Sequence, residues 1–389
     1  MRIYLDHNAG APLRPAVREA IAEFISGRAE GNPASVHLAG QQARRLLEHS
    51  RAEVGALIGA PARTIVFTSG GTESNNLAIY GAIDGFAGRR RKIITAAIEH
   101  SSIIGPVAEL ERRGFEIERV AVDREGRISS TEMAALIDDQ TAVITLGLAN
   151  AEVGTIQSLD GVAEAARRAG AVFHLDAAQA AGRMPLGVAD VQCDLMALSA
   201  HKIGGPAGIG ALYVRPACMI APQIQGGPQE TGMRAGTPNL LGAVGFAAAA
   251  RETLAGMPEE LDRMAAHSRW LLNALEGAIP GLILNGPREG RIENTLNLTF
   301  PRVLGESLLI ALDLEGLEIS MGSACAAGSV EPSHVLLAMG RSPAEARSSL
   351  RISLGWSTTA AEIARAAEIV PRIWRRVAAA EPAIEGASR

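Results

Sequence analysis

The sequence has little of what marks several large classes of protein. It contains only three cysteines and no CxxC pair, so neither a disulfide framework nor a cysteine-based zinc site is expected. Its longest apolar run, Leu240 to Ala250, is interrupted by glycine and is too short to cross a bilayer. Asp6 and His7 break up the start of the chain, which argues against a signal-peptide core.

Positive charge is not in surplus either. The formal net charge is -5, so the chain lacks the basic footprint of proteins that bind nucleic acid or anionic membranes. The hydrophobic fraction of 47% and the charged fraction of 20% are ordinary for a soluble globular protein. We therefore expect no nucleic acid, no membrane and no metal as partners, and a reducing cytoplasm as the simplest location.

Short apolar runs alternate with longer amphipathic segments, a pattern typical of a mostly parallel α/β sheet covered on both faces. The predicted strands are Thr64–Thr68, Lys92–Ala96, Ala142–Leu148, Ala171–Leu175, Leu195–Leu198 and Ala211–Val214. The predicted helices between them are Thr72–Ile83, Ser102–Arg113, Ser130–Asp138 and Leu159–Ala169.

The last third of the chain predicts a smaller α/β unit. The alanine-rich stretch Ala243–Arg269 is expected to be helical with a break at Pro258, followed by strands at Thr295–Phe300 and Leu350–Leu354 and a helix at Glu306–Glu315. We predict a large domain over residues 15–255 and a small C-terminal domain over residues 256–389, and we assign residues 1–14 to the small domain.

Lys202 follows an apolar strand and precedes a loop rich in glycine and proline. Open α/β sheets bind ligands at the carboxyl ends of their strands. A lysine that is withdrawn from water there loses its proton readily and can form a Schiff base. This segment alone leaves open the alternative of a solvated surface lysine.

Asp176 ends another apolar strand, where a carboxylate is costly unless it has a partner. A protonated pyridine nitrogen is such a partner in enzymes that use pyridoxal 5'-phosphate (PLP). The alternative is a cap for the following helix. The glycine-rich segment Thr68–Asn76 opens a helix whose free N–H groups attract a phosphate. It lacks the P-loop and dinucleotide-binding spacings, and an ordinary turn with a cap is its alternative.

The chain resembles the cysteine desulfurases of the NifS/IscS type, members of the class V aminotransferase family of fold-type I PLP enzymes. The resemblance covers nearly the whole chain. The segments that match the family are Tyr4–Asp6, Gly31–His37, Thr68–Ile79, Glu99-His100, Glu152–Gly154, His174–Gln179, Ser199–Gly210, Arg234–Thr237, Gly322–Cys325, Glu331–Leu336 and Leu350–Gly355.

The resemblance implies an aspartate aminotransferase-like fold, with a large PLP-binding domain and a smaller C-terminal one. It also implies a homodimeric sulfurtransferase that converts L-cysteine to L-alanine. The sulfur would pass as a persulfide on Cys325 to an acceptor such as an iron–sulfur scaffold protein, for iron–sulfur cluster or thio-cofactor biosynthesis.

The resemblance also implies roles for single residues. Catalysis would fall to Cys325, Lys202 and His100, with His100 on the ring face. Arg351 and Asn32 would bind the substrate, Arg351 through the bidentate geometry that arginine offers a carboxylate. The residues implied in cofactor binding are Lys202, Asp176, Gln179, Thr72, Ser199, His201, Gly71 and, from the other subunit, Thr237.

Cys325 lies in a stretch of small residues, Gly322–Ser329, with no bulky side chain to anchor it. The sequence therefore predicts a mobile loop with an exposed thiol, as a nucleophile requires. Cys193 precedes an apolar strand and Cys218 lies between prolines, so both are expected to be packing residues.

The chain departs from the usual family pattern at Ala151, where the family has asparagine, at Thr231 and Ala207, and in the segment Ala9-Gly10-Ala11. None of them removes Lys202, Asp176 or Cys325. Three alternatives to a desulfurase remain open: a selenocysteine or cysteine lyase that forms no persulfide, an aminotransferase on the same fold, which needs no mobile cysteine, and a non-catalytic scaffold that binds a sulfur carrier.

Overall fold

The computed structural model describes residues 2–27, 31–321 and 331–380. The strands in these ranges are β1 (Ile3–Tyr4), β2 (Ile65–Thr68), β3 (Lys92–Ala96), β4 (Glu116–Val120), β5 (Thr141–Gly147), β6 (Val172–Asp176), β7 (Leu195–Ser199), β8 (Gly210–Val214), β9 (Ile283–Asn285), β10 (Thr295–Thr299), β11 (Leu317–Glu318), β12 (Ser320–Met321) and β13 (Ser349–Ser353).

The helices in the described ranges are α1 (Pro15–Ser26), α2 (Leu38–Ala56), α3 (Gly71–Gly85), α4 (Ser101–Arg112), α5 (Ser130–Ala135), α6 (Val162–Ala169), α7 (Val188–Val191), α8 (Leu240–Ala278), α9 (Gly305–Leu314), α10 (His334–Ala338), α11 (Pro343–Arg347) and α12 (Ala360–Ala380). None of the helices in the described part of the chain is long and apolar enough to span a membrane.

Seven strands form the central sheet, in the order β2-β8-β7-β6-β5-β3-β4. Every neighbouring pair is parallel except the two that involve β8. Successive residues of a strand point to opposite faces, and both faces are covered: Ile93 and Val143 pack in one apolar cluster, Ile94 and Ile144 in another. The continuous apolar runs of the sequence follow from this double burial, and the mostly parallel sheet predicted from them is confirmed.

A second, four-stranded antiparallel sheet has the order β12-β13-β10-β9. Leu296, Leu298, Leu350 and Ile352 lie in its own apolar cluster. Helix α8 serves both cores, because its first half contributes to the cluster beneath the central sheet and its second half to this one. The domain boundary at 255/256 therefore falls inside one continuous helix, and the division into two domains stays a prediction.

The break expected at Pro258 is wrong, because α8 continues through it. A proline inside a helix removes one backbone hydrogen bond and costs about 3 kcal/mol. Buried side chains hold the helix on both sides of this position, Thr253 and Met257 before it and Met264 and Ser268 after it. Tertiary packing therefore outweighs the local preference at Pro258.

The topology collects polar residues at one edge of the central sheet. Strands β6 and β7 are parallel neighbours, so Asp176 and Ser199, the last residues of each, lie at the same edge. Lys202 follows in a single helical turn, Ala200–Lys202. Helix α3 begins at Gly71, shortly after β2.

A buried ion pair fastens the segment between β8 and α8 to the sheet. Glu230 accepts two hydrogen bonds from Arg51, at 2.5 and 2.9 Å, and a third from the backbone N–H of Phe67 at 2.8 Å. Both charged side chains are buried. Glu230 and Thr231 have left-handed φ angles of 46° and 55°, a conformation that non-glycine residues adopt only when their contacts compensate.

We expect Glu230→Gln to lower the free energy of unfolding by on the order of 2 kcal/mol, because it leaves the buried Arg51 charge with only the exposed Glu48, 3.3 Å away, as a counter-charge. Urea denaturation of the purified protein measures this. The matched control is Glu109→Gln in the exposed pair with Arg113, which should cost less than about 1 kcal/mol. Equal losses in the two variants would show that the buried pair does not hold this segment.

Candidate active site

The amine of Lys202 is held by the N-terminal segment of the chain. Its Nζ donates to the backbone oxygen of Asn8 at 2.6 Å and to that of Ala9 at 3.1 Å. Asn8 is itself fixed in the protein, because its side chain donates to Thr295 and to the backbone oxygen of Ala151. The segment following β1 thus sets the position of the Lys202 amine.

A chain of hydrogen bonds joins Asp176 to His100. The amide of Asn75 donates to Asp176 Oδ2 at 2.7 Å and to Ser102 Oγ at 2.8 Å. Ser102 Oγ lies 2.7 Å from His100 Nδ1, which also accepts from the backbone N–H of Ser102. Since Nδ1 is an acceptor, the proton of the neutral imidazole is on Nε2.

His100 also caps the start of α4. Although the residue reaches solvent, loss of hydration inside the site lowers its pKa, and electrostatic interactions with Lys202 and His334 lower it further, against the opposing effect of Asp176. A neutral imidazole is therefore the favoured form at neutral pH, and it can accept a proton or pass one on.

Glu99 places a second carboxyl beside Asp176. Gly147 pairs with Asp176 across the β5–β6 register, and the backbone N–H of Gly147 donates to Glu99 Oε2 at 2.8 Å. Burial raises the pKa of Glu99 to about 8, and the charge of Asp176 contributes in the same direction. Glu99 is thus favoured in its neutral form at pH 7, which leaves Asp176 as the negative charge at this point.

The residues predicted to bind a phosphate converge where α3 begins. Gly71 and Thr72 are its first two residues, so their backbone N–H groups have no helical acceptor. A Cβ added at Gly71 would lie 3.5 Å from the Cβ of Ser199, and Ser199 Oγ lies 2.9 Å from His201 Nδ1. Free N–H groups, a hydroxyl and an imidazole form a donor set that suits a phosphate.

Gln179 lies between Asn8 and Arg183. Its amide donates to the backbone oxygen of Asn8 at 3.1 Å, and its Oε1 accepts from Arg183. Arg183 also donates to the backbone oxygens of His7 and Lys202. Burial, aided by the charge of Arg351, lowers the pKa of Arg183 to about 9.

Arg351 extends from β13 into the region between the two sheets. It is buried and donates to Asp6 Oδ1 at 2.7 Å and to the backbone oxygen of Ala151 at 3.3 Å. The guanidinium is thereby fixed in place. Its predicted role as the clamp of a substrate carboxylate stays a prediction, and such a carboxylate would share the guanidinium with Asp6.

Ala151 occupies a turn that its neighbour Asn150 stabilises. Asn150 Oδ1 accepts from the backbone N–H groups of Glu152 and Val153, and its Nδ2 donates to the backbone oxygen of Ile98. Because both ends of the Asn150 amide are engaged in this turn, Asn150 does not replace the side-chain amide missing at Ala151.

Two predicted site residues are not drawn into this pocket by any described contact. Asn32 accepts a hydrogen bond from the N–H of Ala34 within its own loop. Thr237 is exposed, and its segment is tied to the start of α3 by Arg234, which donates to Glu73 at 2.9 Å. A role for Thr237 toward a second subunit stays a prediction.

Of the cysteines, Cys325 lies outside the described residues, so its exposure and loop stay predictions. Cys193 is buried and Cys218 partly buried, and both are free thiols. Burial, with the charge of Asp194 contributing, raises the pKa of each to about 12. Neither thiol has the thiolate character of a nucleophile, which agrees with the packing role expected for both.

Several residues that build the site have no role predicted from the sequence. Both Asn75 and Glu99 lie in segments that carry the family resemblance. Asn75 is in the second turn of α3, and Glu99 directly precedes His100. Their contacts to Asp176 come from other strands and helices, so no local signal shows them. Asn8 and Arg183 likewise act through residues more than 170 positions away.

This set of residues fits PLP. Lys202 would hold the aldehyde, Asp176 would pair with the ring nitrogen, and the start of α3 with Ser199 and His201 would hold the phosphate. Lys92 and Lys202 are the only lysines in the whole sequence. The amine of Lys92 is engaged elsewhere, with Asp138 at 2.8 Å and the backbone oxygen of Leu136 at 2.7 Å.

Comparison with known proteins agrees with this geometry. The family model described as aminotransferase class-V matches residues 3–366. The cysteine desulfurase IscS of Dictyoglomus turgidum is 39% identical over 380 residues, covering 98% of this chain and 96% of that protein.

Two solved structures have the same fold. A NifS-like protein superposes with a TM-score of 0.90 at 32% identity, covering 97% of this chain and 100% of that one. A structure described as SspA in complex with cysteine has a TM-score of 0.80 at 32% identity, covering 90% of this chain and 98% of that one. The predicted fold-type I architecture is confirmed.

The raised pKa of Glu99 predicts a pH-dependent difference in stability. From the ordinary value of 4.5 up to about 8, the folded state keeps a proton that the unfolded state has released, so the stability due to Glu99 falls as the pH rises through this window. Glutamine mimics the neutral form. We expect the stability of Glu99→Gln relative to wild type to rise by on the order of 2 kcal/mol between about pH 5.5 and 8.

Urea denaturation of both proteins at the two pH values measures this shift. Glu116→Gln, at an exposed position of strand β4, is the control and should show no such change. The same difference between Glu99→Gln and wild type at both pH values would mean that Glu99 is ionised in the folded protein.

Proposed function

We propose, starting from the fact that this chain belongs to the class V aminotransferase family, that it is a PLP-dependent cysteine desulfurase. The relatives' names give the reaction, and the site provides the groups that the reaction requires. The observation that carries the proposal is the placement of Lys202, with Asp176, His100 and the start of α3 around it, at the carboxyl edge of the central sheet.

The scarcity of lysine strengthens this assignment. Lys92 is the first residue of β3, so it lies at the amino end of a strand parallel to β6, away from the edge that carries Asp176. Its amine is held in an ion pair with Asp138. Lys202 is therefore the side chain suited to hold an aldehyde cofactor covalently.

Bound PLP would supply a ring that accepts electrons from the substrate and so makes its α-proton removable. The charge of Asp176 would keep the ring nitrogen protonated. Because Glu99 beside it is neutral, Asp176 is the carboxylate that pairs with this nitrogen. The Lys202 amine would take the α-proton. His100, neutral and connected to Asp176 through Ser102 and Asn75, would stack on the ring and move protons at Nε2.

The sulfur step is assigned to Cys325. Its thiolate would attack the sulfur of the bound L-cysteine and form a persulfide as the Cβ–S bond of the substrate breaks. The electron pair of that bond stays with the substrate carbon, which takes up a proton, so that L-alanine is the second product. Arg351 and Asn32 would bind the substrate carboxylate. A reducing compartment such as the cytoplasm would keep this thiol active.

The proposal includes a homodimer in which Thr237 completes the phosphate site of the other subunit. Arg234 and the buried pair of Glu230 with Arg51 support it, because they fix the segment that carries Thr237. A sulfur-acceptor protein, such as an iron–sulfur scaffold, would then receive the persulfide sulfur.

The test compares the variants Lys202→Ala and Lys92→Arg after reconstitution with PLP. Lys92→Arg should retain a visible cofactor band that borohydride bleaches, and should release L-alanine from L-cysteine in the presence of a thiol. Lys202→Ala should lose the borohydride-sensitive band and all L-alanine production. L-Alanine production by Lys202→Ala, or no L-alanine from the wild type, would overturn the proposal.

A further inference from the structure

A groove lies at the amino ends of the central strands, and the candidate active site lies at their carboxyl ends. Its volume is about 310 Å³, and its lining includes Val172 at the amino end of β6 and Arg215 just after β8. Asp176 ends the same strand β6, about 13 Å from Val172 at about 3.3 Å per residue. A ligand in the groove would therefore not compete with a substrate at Lys202.

Three arginines converge on this groove, and each is held by one hydrogen bond to its wall. Arg89 donates to the backbone oxygen of Phe86 at 3.1 Å, and Arg167 to Gln192 Oε1 at 2.9 Å. Arg215 donates to Asp194 Oδ1 at 2.5 Å. Each guanidinium is thus oriented while most of its N–H groups are left for a ligand.

Asp194 neutralises the charge of Arg215, but the groove keeps a surplus of positive charge from Arg89 and Arg167. Within the described ranges of the chain, neither Arg89 nor Arg167 takes part in an ion pair. Asp194 is the one acid in the lining, and its other oxygen accepts from the backbone N–H of Phe173 at 2.8 Å. In a chain of net charge -5, this groove concentrates positive potential and attracts anions.

Part of the groove lining is apolar. Phe86 and Val172 belong to it, together with Met219, which is 81% exposed. The volume is in the range of small-molecule sites, which combine apolar walls with a few oriented polar groups. A matching ligand has an apolar body and at least one anionic group.

The backbone at the groove is constrained as well. Gln192 and Ala217, two residues of its lining, have left-handed φ angles of 52° and 69°. Gln192 ends α7 as its C-cap, where this conformation is common, whereas Ala217 is not at a helix end and is strained.

We propose that this groove binds a small organic anion, an apolar or aromatic body that carries a phosphate or a carboxylate. Arg89, Arg167 and Arg215 grip the anionic group, since the planar guanidinium fork matches both groups. The apolar body lies against Phe86 and Val172. The site is independent of the proposed desulfurase reaction.

The test is a fluorescence titration of the PLP-loaded protein with 8-anilinonaphthalene-1-sulfonate, an aromatic anion. Binding should saturate and weaken as salt is added. The double variant Arg89→Gln/Arg167→Gln should raise the dissociation constant at least tenfold. Arg168→Gln, an exposed neighbour paired with Glu164, is the control and should leave it unchanged. Circular dichroism confirms that each variant is folded.

Competition identifies the anionic group. Phenyl phosphate and phenylacetate are added separately to the wild-type complex, with benzyl alcohol as the neutral control. Displacement of the probe by either anion, but not by the alcohol, supports the proposal and names the preferred group. An unchanged dissociation constant in the double variant, or equal displacement by benzyl alcohol, would overturn it.

Discussion

The negative charge of Asp176 is the constraint around which the candidate active site is arranged. Its two oxygens accept from Asn75 and from the backbone N–H of Ala178, which fix the carboxylate at the end of β6. A carboxylate in this position is costly without a cation, and Glu99, whose pKa the charge of Asp176 helps to raise, is favoured in the neutral form. The arrangement suits a cationic ring nitrogen, and the hydrogen-bond chain to His100 depends on the same carboxylate.

Much of the fold could be predicted because the central strands are buried on both faces. Lys92–Ala96 was predicted with its observed bounds, and the other five central strands within about a residue at each end. Strand β4 was missed, since Glu116–Val120 is mostly exposed at the sheet edge and has no continuous apolar run. Short strands such as β1 and β11 arise only when distant segments meet. At Pro258 the packing of α8 overrode a strong local signal.

The site could be predicted in part, for a similar physical reason. Lys202, Asp176 and the start of α3 follow apolar strands, so local pattern and parallel topology bring them to one edge. Asn8 and Glu99 act through contacts with residues far away in sequence. Such contacts cannot be predicted from the spacing of residues along the chain. Asn150 does not compensate for the departure at Ala151, because both ends of its amide are engaged in the turn.

The proposed function depends on sulfur transfer through Cys325. Its most direct test is peptide mass spectrometry of the PLP-loaded protein after brief exposure to L-cysteine without a reducing thiol. We expect one added sulfur atom on the peptide that contains Cys325 and none on the peptides with Cys193 or Cys218. L-Alanine release with no persulfide on Cys325, or with the persulfide on another cysteine, would contradict it.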